Sequence, residues 1–486
     1  MSKTYTLSKS KIISLLQCPK RLWLERHRPD LAAEMDEGTQ LRFAAGERVD
    51  EVARGLFPEG IMVEGEDLWE KIQRTADLLA GPPRPLFQAA FRHKNVLTVP
   101  DILLPEAGGF KLIEVKSAAS VKDYYHTDVA VQVWVLQGAG LDLRGIELAF
   151  IDSRFVYPGQ GDYRGLFCHE DMSRIVQDLL PDVPRWVQEG QDVLASDTEP
   201  QQTPGDQCGT PFDCPFHGYC APETTEYPVE LLPRIGRQAQ ALRDQGLNDI
   251  RDIPDSVPLT FAQRRVREVT KTGRAMLSAE AGAIINNLPW PRWYMDFETL
   301  ALAVPEWAGT RPYHQVPFQW SCHNEAADGT VRHYEFLAEG EADPRRDFAE
   351  SLIAGLSDSG PVLVYNATFE NRILKETAAT FPDLAGKLDA ISERVFDLLP
   401  LAREHYYHPE MRGSWSLKSV LPTVAPDLTY ETLGVSGGLE AQAAFQKMMA
   451  LPKGSTERED LRRQILEYCQ LDTWALVVLA RFFAGK

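Results

Sequence analysis

Residues 96–118, VLTVPDILLPEAGGFKLIEVKSA, decide how the first half of the chain is read. Two apolar runs flank PEAGG, a cluster of turn-forming residues, so the stretch reads as a β-hairpin. With the turn centred between Ala107 and Gly108, Asp101 falls opposite Glu114. Side chains two apart on a strand share a face, so Glu114 and Lys116 project together. The hairpin thus gathers two carboxylates and an ammonium group, a set able to bind one or two Mg2+ ions and position a water for phosphodiester hydrolysis. An acid and an E-x-K pair also decorate ordinary exposed strands. LIEVK is too apolar for that, and buried charge is costly unless paired or coordinating a metal. Downstream, DVAVQVWVLQGAGL (128–141) reads as a helix packed nearby and presenting Gln132.

The whole chain has 486 residues, room for roughly three domains. With 44% hydrophobic residues it can bury a core, which excludes global disorder. The N-terminal MSKTYTLSKSK carries no apolar leader and no later run reaches the length of a membrane span, which reads as a cytoplasmic, untargeted protein with no membrane partner. A net charge of −19 repels phosphate backbones at long range, so nucleic acid must be met by local basic patches. FAQRRVREVTKTGR (261–274) offers one, with Arg264, Arg265, Arg267, Lys271 and Arg274; the plain alternative is a solvated helix face.

Beyond about residue 290 the pattern becomes α/β. RWYMDFETL (292–300) is a strand candidate, and 316–338 reads as a hairpin turning at Asp328–Gly329. A helix around 345–356, the strand PVLVY (361–365), a helix from about 368 and a long terminal helix (457–483) follow, an order that suits an RNase H-like layered domain. Asp296 and Glu298 share a strand face, Asn366 and Glu370 lie at a strand-to-helix junction, and Tyr468 and Asp472 share a helix face. Folded together, Asp296, Glu298, Glu370 and Asp472 could surround two Mg2+ or Mn2+ ions, with Tyr468 orienting the attacking water. Asp397 reads as a strand-end or helix cap, and Cys168, Cys322 and Cys469 as buried thiols.

Pro100–Asp101, Glu114-Val115-Lys116 and Gln132 resemble the motifs of the PD-(D/E)XK nuclease superfamily, in its RecB-like branch. Leu136 stands where that branch usually has a tyrosine, and Asp50, in GERVD, where it has a metal-binding histidine; aspartate can also ligate Mg2+ or Mn2+. Asp296, Glu298, Glu370, Tyr468 and Asp472 resemble the DEDD exonucleases of the DnaQ-like superfamily, with Glu370 in place of an aspartate.

DQCGTPFDCPFHGYC (206–220) spaces Cys208, Cys214 and Cys220 six apart. Clustered thiols in a reducing compartment point to metal rather than disulfides. CRISPR-associated and AddB-type RecB-like nucleases bracket their core with one N-terminal and three later cysteines that hold a [4Fe–4S] cluster. That resemblance implies Cys18, in SLLQCPKRLWLE, as the fourth ligand; Pro19 places Cys18 in a break between helices. Zinc is the alternative, with His217 or Cys168 also able to complete a site of three cysteines.

The expected architecture is α/β in three parts: a PD-(D/E)XK restriction-endonuclease-like domain with an Fe–S helical subregion (1–222), a helical, partly basic linker (223–288) and an RNase H-like DEDD domain (289–486). The resemblances imply a metal-dependent nuclease acting on single-stranded DNA or DNA ends, the second module working 3′ to 5′. An RNA-processing exonuclease and a nucleic-acid-binding scaffold with inactive sites are the alternatives.

Overall fold

A computed structural model describes residues 5–35, 37–222, 225–430 and 433–486. The chain is α/β and divides into two compact units. The first comprises Met1–Pro222 with Leu302–His314, and the second Glu223–Ala301 with Gln315–Lys486. Among the described residues, no helix is long and apolar enough to cross a membrane.

The first unit is built on a six-stranded sheet ordered Ile61–Met62, Leu86–Phe87, Ile102–Glu106, Gly109–Lys116, Leu143–Ile151 and Phe167–Asp171. The hairpin turns where the sequence places it: Glu106 faces Gly109 and Ile102 faces Ile113, so the register carries Asp101 to Glu114. Gly108 takes φ +83°, the left-handed backbone a tight turn needs. The Gly109–Lys116 strand runs parallel to Leu143–Ile151, and the Asp123–Gly138 helix makes the crossover. Its residues Leu112 to Val115 are all buried, which explains the unbroken apolar run around Glu114.

The second unit has a five-stranded sheet ordered Val331–Leu337, Gln315–Glu325, Arg292–Ala301, Val362–Val364 and Val395–Asp397. The first three strands are antiparallel and the last two pair in parallel. Met295 and Phe297 point into the core with Trp320, Phe348 and Leu352, which leaves Asp296 and Glu298 on the opposite face. The 28-residue helix Thr456–Phe483 crosses that face. Its register is fixed by Gln319, which donates to the Ile465 carbonyl (3.1 Å), and by a Ser321–Thr473 hydroxyl pair (2.8 Å).

Two expectations change. The stretch expected as a linker is built into the second unit: Val229, Leu232, Leu242, Ile250 and Val266 share one core with Tyr294, Leu363 and Leu479. Leu302–His314, expected within the second domain, belongs to the first unit, because Ala303 and Val304 are buried among Val49, Val52 and Phe87.

Candidate active sites

In the first unit, Asp101 sits just before its strand, and its Oδ2 accepts the Val115 backbone N–H (2.8 Å). Glu114, 1% exposed, accepts Lys116 Nζ on Oε1 at 2.7 Å. Gln132 is fully buried on the crossover helix, its Oε1 accepting from Thr98 Oγ1 (3.3 Å). Asp50, on the Glu37–Gly55 helix, joins the group through Gln88, whose Nε2 donates to Asp50 Oδ2 (3.1 Å) and Asp101 Oδ1 (3.0 Å). Arg54 pairs with Asp50 at 2.8 Å.

Three members of this site stand outside the sequence motifs. Lys9 Nζ lies 2.6 Å from Glu114 Oε1, an approach across 105 positions of sequence. Gln88 is held in left-handed backbone at φ +53°. Asp128 accepts Lys116 Nζ at 2.6 Å; one helical turn before Gln132, it is legible in the sequence as a neighbour on the same face. Burial works to raise the Glu114 carboxyl pKa, but the ammonium groups of Lys116 and Lys9 overcome it and hold it below the usual carboxylate range. Asp101, with burial and the Glu114 and Asp50 charges against its ionisation, is pushed well above that range. Glu114 Oε2, Asp128 Oδ1 and Gln132 Nε2 are buried without a hydrogen-bond partner. Unpaired carboxylate oxygens beside Asp101 are a donor set of the hard-oxygen kind that Mg2+ or Mn2+ takes.

In the second unit, Asp296, Glu298 and Asp472 each offer a carboxylate oxygen within 4.8 Å of the others, the one such metal-ligating set among the described residues. A register shift between Glu298 and Thr299 falls beside them, the kind of irregularity that re-aims a strand side chain. Glu370, in the first turn of the Ala367–Thr380 helix, is 2% exposed with Oε2 unpartnered. Burial and the neighbouring Asp296 push its pKa up to about 9. Burial and then the Asp472 charge raise Asp296 well above its ordinary value, and burial with Asp296 and Asp472 does the same to Glu298. Asp472 is raised by burial to about 6, with Tyr430 and Tyr468 hydrogen bonds working the other way.

Tyr430 donates to Asp472 Oδ1 at 2.5 Å, and no sequence pattern singles it out. Lys418 Nζ lies over the Tyr430 and Tyr468 rings, 5.4 and 5.5 Å from their centroids. Cys469 is more than a core thiol: its Sγ lies 3.8 Å from Asp296 Oδ2. Asp397 is a cap, accepting the backbone N–H groups of Leu399 and Asn366 (both 2.9 Å) and Ala367 (3.0 Å). It thereby fixes the start of the helix that carries Glu370.

Cys18, Cys208, Cys214 and Cys220 line one cavity with Arg21, Phe216 and His217. Cys18 is the extended residue between the helices Lys9–Gln17 and Pro19–His27. Gln17 Nε2 ties that junction to the cysteine loop, donating to the carbonyls of Gln207 (2.7 Å) and Phe212 (2.6 Å). Cys168 lies elsewhere, on the Phe167–Asp171 strand. The thiols do not form a set within 4.8 Å, whereas a single tetrahedral zinc with Zn–S of about 2.3 Å needs sulfurs about 3.8 Å apart.

The basic patch is only partly a surface. Arg265 and Arg267, expected to contact nucleic acid, are 8% and 3% exposed. Arg265 Nη1 donates to the Glu404 carbonyl (2.7 Å) and Arg267 Nη1 to that of Pro254 (3.0 Å), so both are spent on the fold. Arg264, Lys271 and Arg274 remain exposed.

Two α/β units, each enclosing a buried carboxylate cluster, therefore define this chain. Residues 293–416 match the family described as "Domain of unknown function (DUF2779)", a span that includes Asp296, Glu298 and Glu370 and stops short of Tyr468 and Asp472. Over 247 residues the chain is 23% identical to "Uncharacterized protein UU173" of Ureaplasma parvum serovar 3 (strain ATCC 700970), an alignment covering 46% of this chain and 35% of that protein.

Proposed function

We propose that the protein is a metal-dependent nuclease with two modules, a PD-(D/E)XK, RecB-like one in the first unit and an RNase H-like DEDD one in the second. The observation that carries the reading is the convergence of Asp296, Glu298 and Asp472, from a strand and a distant helix, with one carboxylate oxygen of each within 4.8 Å of the others. Asp101, Glu114 and Lys116 in the hairpin supply the parallel case.

In the second module Asp296, Glu298, Glu370 and Asp472 would hold Mg2+ or Mn2+, which supplies charge stabilisation for the phosphate and the leaving oxygen. Tyr468 is placed one turn from Asp472 to orient a water, and Tyr430 and Tyr468 keep the Asp472 carboxylate aimed. In the first module Asp101 and Glu114 would hold the cation, and Lys116, anchored by Glu114 and Asp128, presents an ammonium group beside them. Because Cys18, Cys208, Cys214 and Cys220 line one cavity, we assign them to a [4Fe–4S] cluster of structural role, with zinc as the alternative. The substrate is single-stranded DNA or DNA ends.

The test is a Mg2+/Mn2+ cleavage assay on anaerobically purified protein, using single-stranded DNA labelled and blocked at either end beside matched RNA. Lys116→Ala and Asp296→Ala should each remove a distinct product pattern. No cleavage of either polymer by the wild-type protein would replace this reading with that of a binding scaffold.

A further inference from the structure

The first site contains a charge outside every motif. Lys9 opens the Lys9–Gln17 helix, whose N-cap Ser8 accepts the Lys11 backbone N–H at 3.3 Å. Lys9 Nζ lies 2.6 Å from Glu114 Oε1 and 3.6 Å from Asp128 Oδ2, and Lys116 Nζ lies 2.7 and 2.6 Å from the same two atoms. Two ammonium groups thus converge on one carboxylate oxygen, although like charges at such range repel. The two bases match Glu114 and Asp128 in number, yet both crowd the same Glu114 oxygen and leave Glu114 Oε2 and Asp128 Oδ1 without a partner, which a pairing serving the fold alone would not favour. Lys9 is not there by the accident of a loose side chain either, since its helix is locked into place. Ile12 and Leu15 are buried in the core, and at the far end Gln17 is bonded to the cysteine loop.

We propose that Lys9 is a positioning residue of the first site, holding the Glu114 carboxylate in its working orientation while competing with a divalent cation for it. This rests on the reading of the first unit as a cation-dependent nuclease. An ammonium group bound to Glu114 fixes a side chain that would otherwise have several rotamers. It also places a positive charge beside any cation that Asp101 and Glu114 take up. Removing it should therefore move binding and turnover in opposite directions, which the loss of a purely structural contact does not do.

The experiment measures Mn2+ binding by electron paramagnetic resonance in an Asp296→Ala/Glu298→Ala background, so that the second unit contributes nothing. Lys9→Met should bind Mn2+ about tenfold tighter, through loss of one like charge at ion-pair range, while kcat at saturating Mn2+ falls about tenfold. Lys9→Gln, also uncharged but still able to donate a hydrogen bond, should bind as tightly and keeps the test open if Lys9→Met folds poorly. Lys9→Arg should restore both quantities to within about threefold of the lysine. Unchanged or weaker Mn2+ binding in both neutral variants, or an unaltered kcat, overturns the proposal. The binding arm reads out even if no polymer is cleaved, so a failed nuclease reading and a failed role for Lys9 are distinguishable.

Discussion

The two acidic clusters offer similar ligands in opposite electrostatic states. In the first unit counter-charges are built in: Glu114 and Asp128 share Lys9 and Lys116, and Asp50 has Arg54. In the second, none of Asp296, Glu298, Glu370 and Asp472 has an ion-pair partner among the described residues, and Lys418 stands off behind two tyrosine rings. In the first cluster the lysines hold Glu114 down while Asp101 and Asp50 are raised, whereas in the second all four carboxyls are raised, so a cation there has more protons to displace. Identical residue types do not imply identical cation dependence; the surrounding basic groups decide it.

The largest effect expected from this contrast is on turnover. On the proposed function, Asp296→Asn removes a cation ligand from the cluster that has no built-in compensation. The second module should then lose about a thousandfold in rate, the scale of the several kcal/mol a bound metal contributes to transition-state charge. A residual rate within tenfold of wild type in 3′-end degradation would remove Asp296 from the chemistry.

Stability without added cation should separate the units by sign. Glu114→Gln leaves the half-buried Lys9 and Lys116 to share Asp128 alone and should cost about 1–3 kcal/mol. Asp296→Asn relieves a crowded acid cluster and should stabilise its unit by about 1–2 kcal/mol at pH 8. The pH dependence follows from the direction of each shift. Asp296, Glu298 and Glu370 keep protons that the unfolded chain sheds in the ordinary carboxylate range. The second unit therefore loses stability as pH rises from that range toward the Glu370 value of about 9. The Glu114 carboxyl is depressed, so its contribution is present above the ordinary range and is lost as pH falls below it. Urea titrations of the wild-type protein and both variants between about pH 3 and 9 measure this. The raised Asp101 adds a smaller loss at high pH to the first unit, and equal slopes in the two units would break the contrast.

Cation binding should show the same asymmetry, more mildly. Each proton that Mn2+ must displace adds about a tenfold rise in affinity per pH unit. Affinity in the second unit should climb at least that steeply between pH 6 and 9, bounded by Asp472 at about 6 and Glu370 at about 9. Measured with the second unit emptied by Asp296→Ala/Glu298→Ala, the first should have the flatter profile, because Asp101 has a proton to give up and Glu114 has none.

How much of this was legible in the sequence depends on the range of the interaction. The Asp101–Glu114 register follows from a period of two and a recognisable turn, both local. The cap role of Asp397 is equally local. Asp128 carries a usable signal, one turn from Gln132. Lys9 does not, because nothing near position 9 announces a contact with residue 114. The basic helix misleads for the same reason: Arg265 and Arg267 have the composition of a phosphate-binding face, and only the fold brings the Glu404 and Pro254 carbonyls to them. The same holds for Leu302–His314, whose apolar residues do not themselves say which core receives them.

Tyr430 gives the smallest and most discriminating prediction. Its hydroxyl donates to Asp472 Oδ1 at 2.5 Å, a bond that favours the ionised carboxylate against the burial that opposes it. Tyr430→Phe keeps the ring under Lys418 and removes only that bond, so the Asp472 pKa should rise from about 6 toward neutrality. A hydrogen bond to a charged group contributes about 1.5–3 kcal/mol, so Mn2+ binding to the second unit should weaken about tenfold at pH 6.5. The deficit should shrink at pH 9, where Asp472 is ionised with or without its donor. A loss of the same size at both pH values would mean that Tyr430 shapes the site rather than tunes its charge. The protons would then be governed by crowding of the four acids alone.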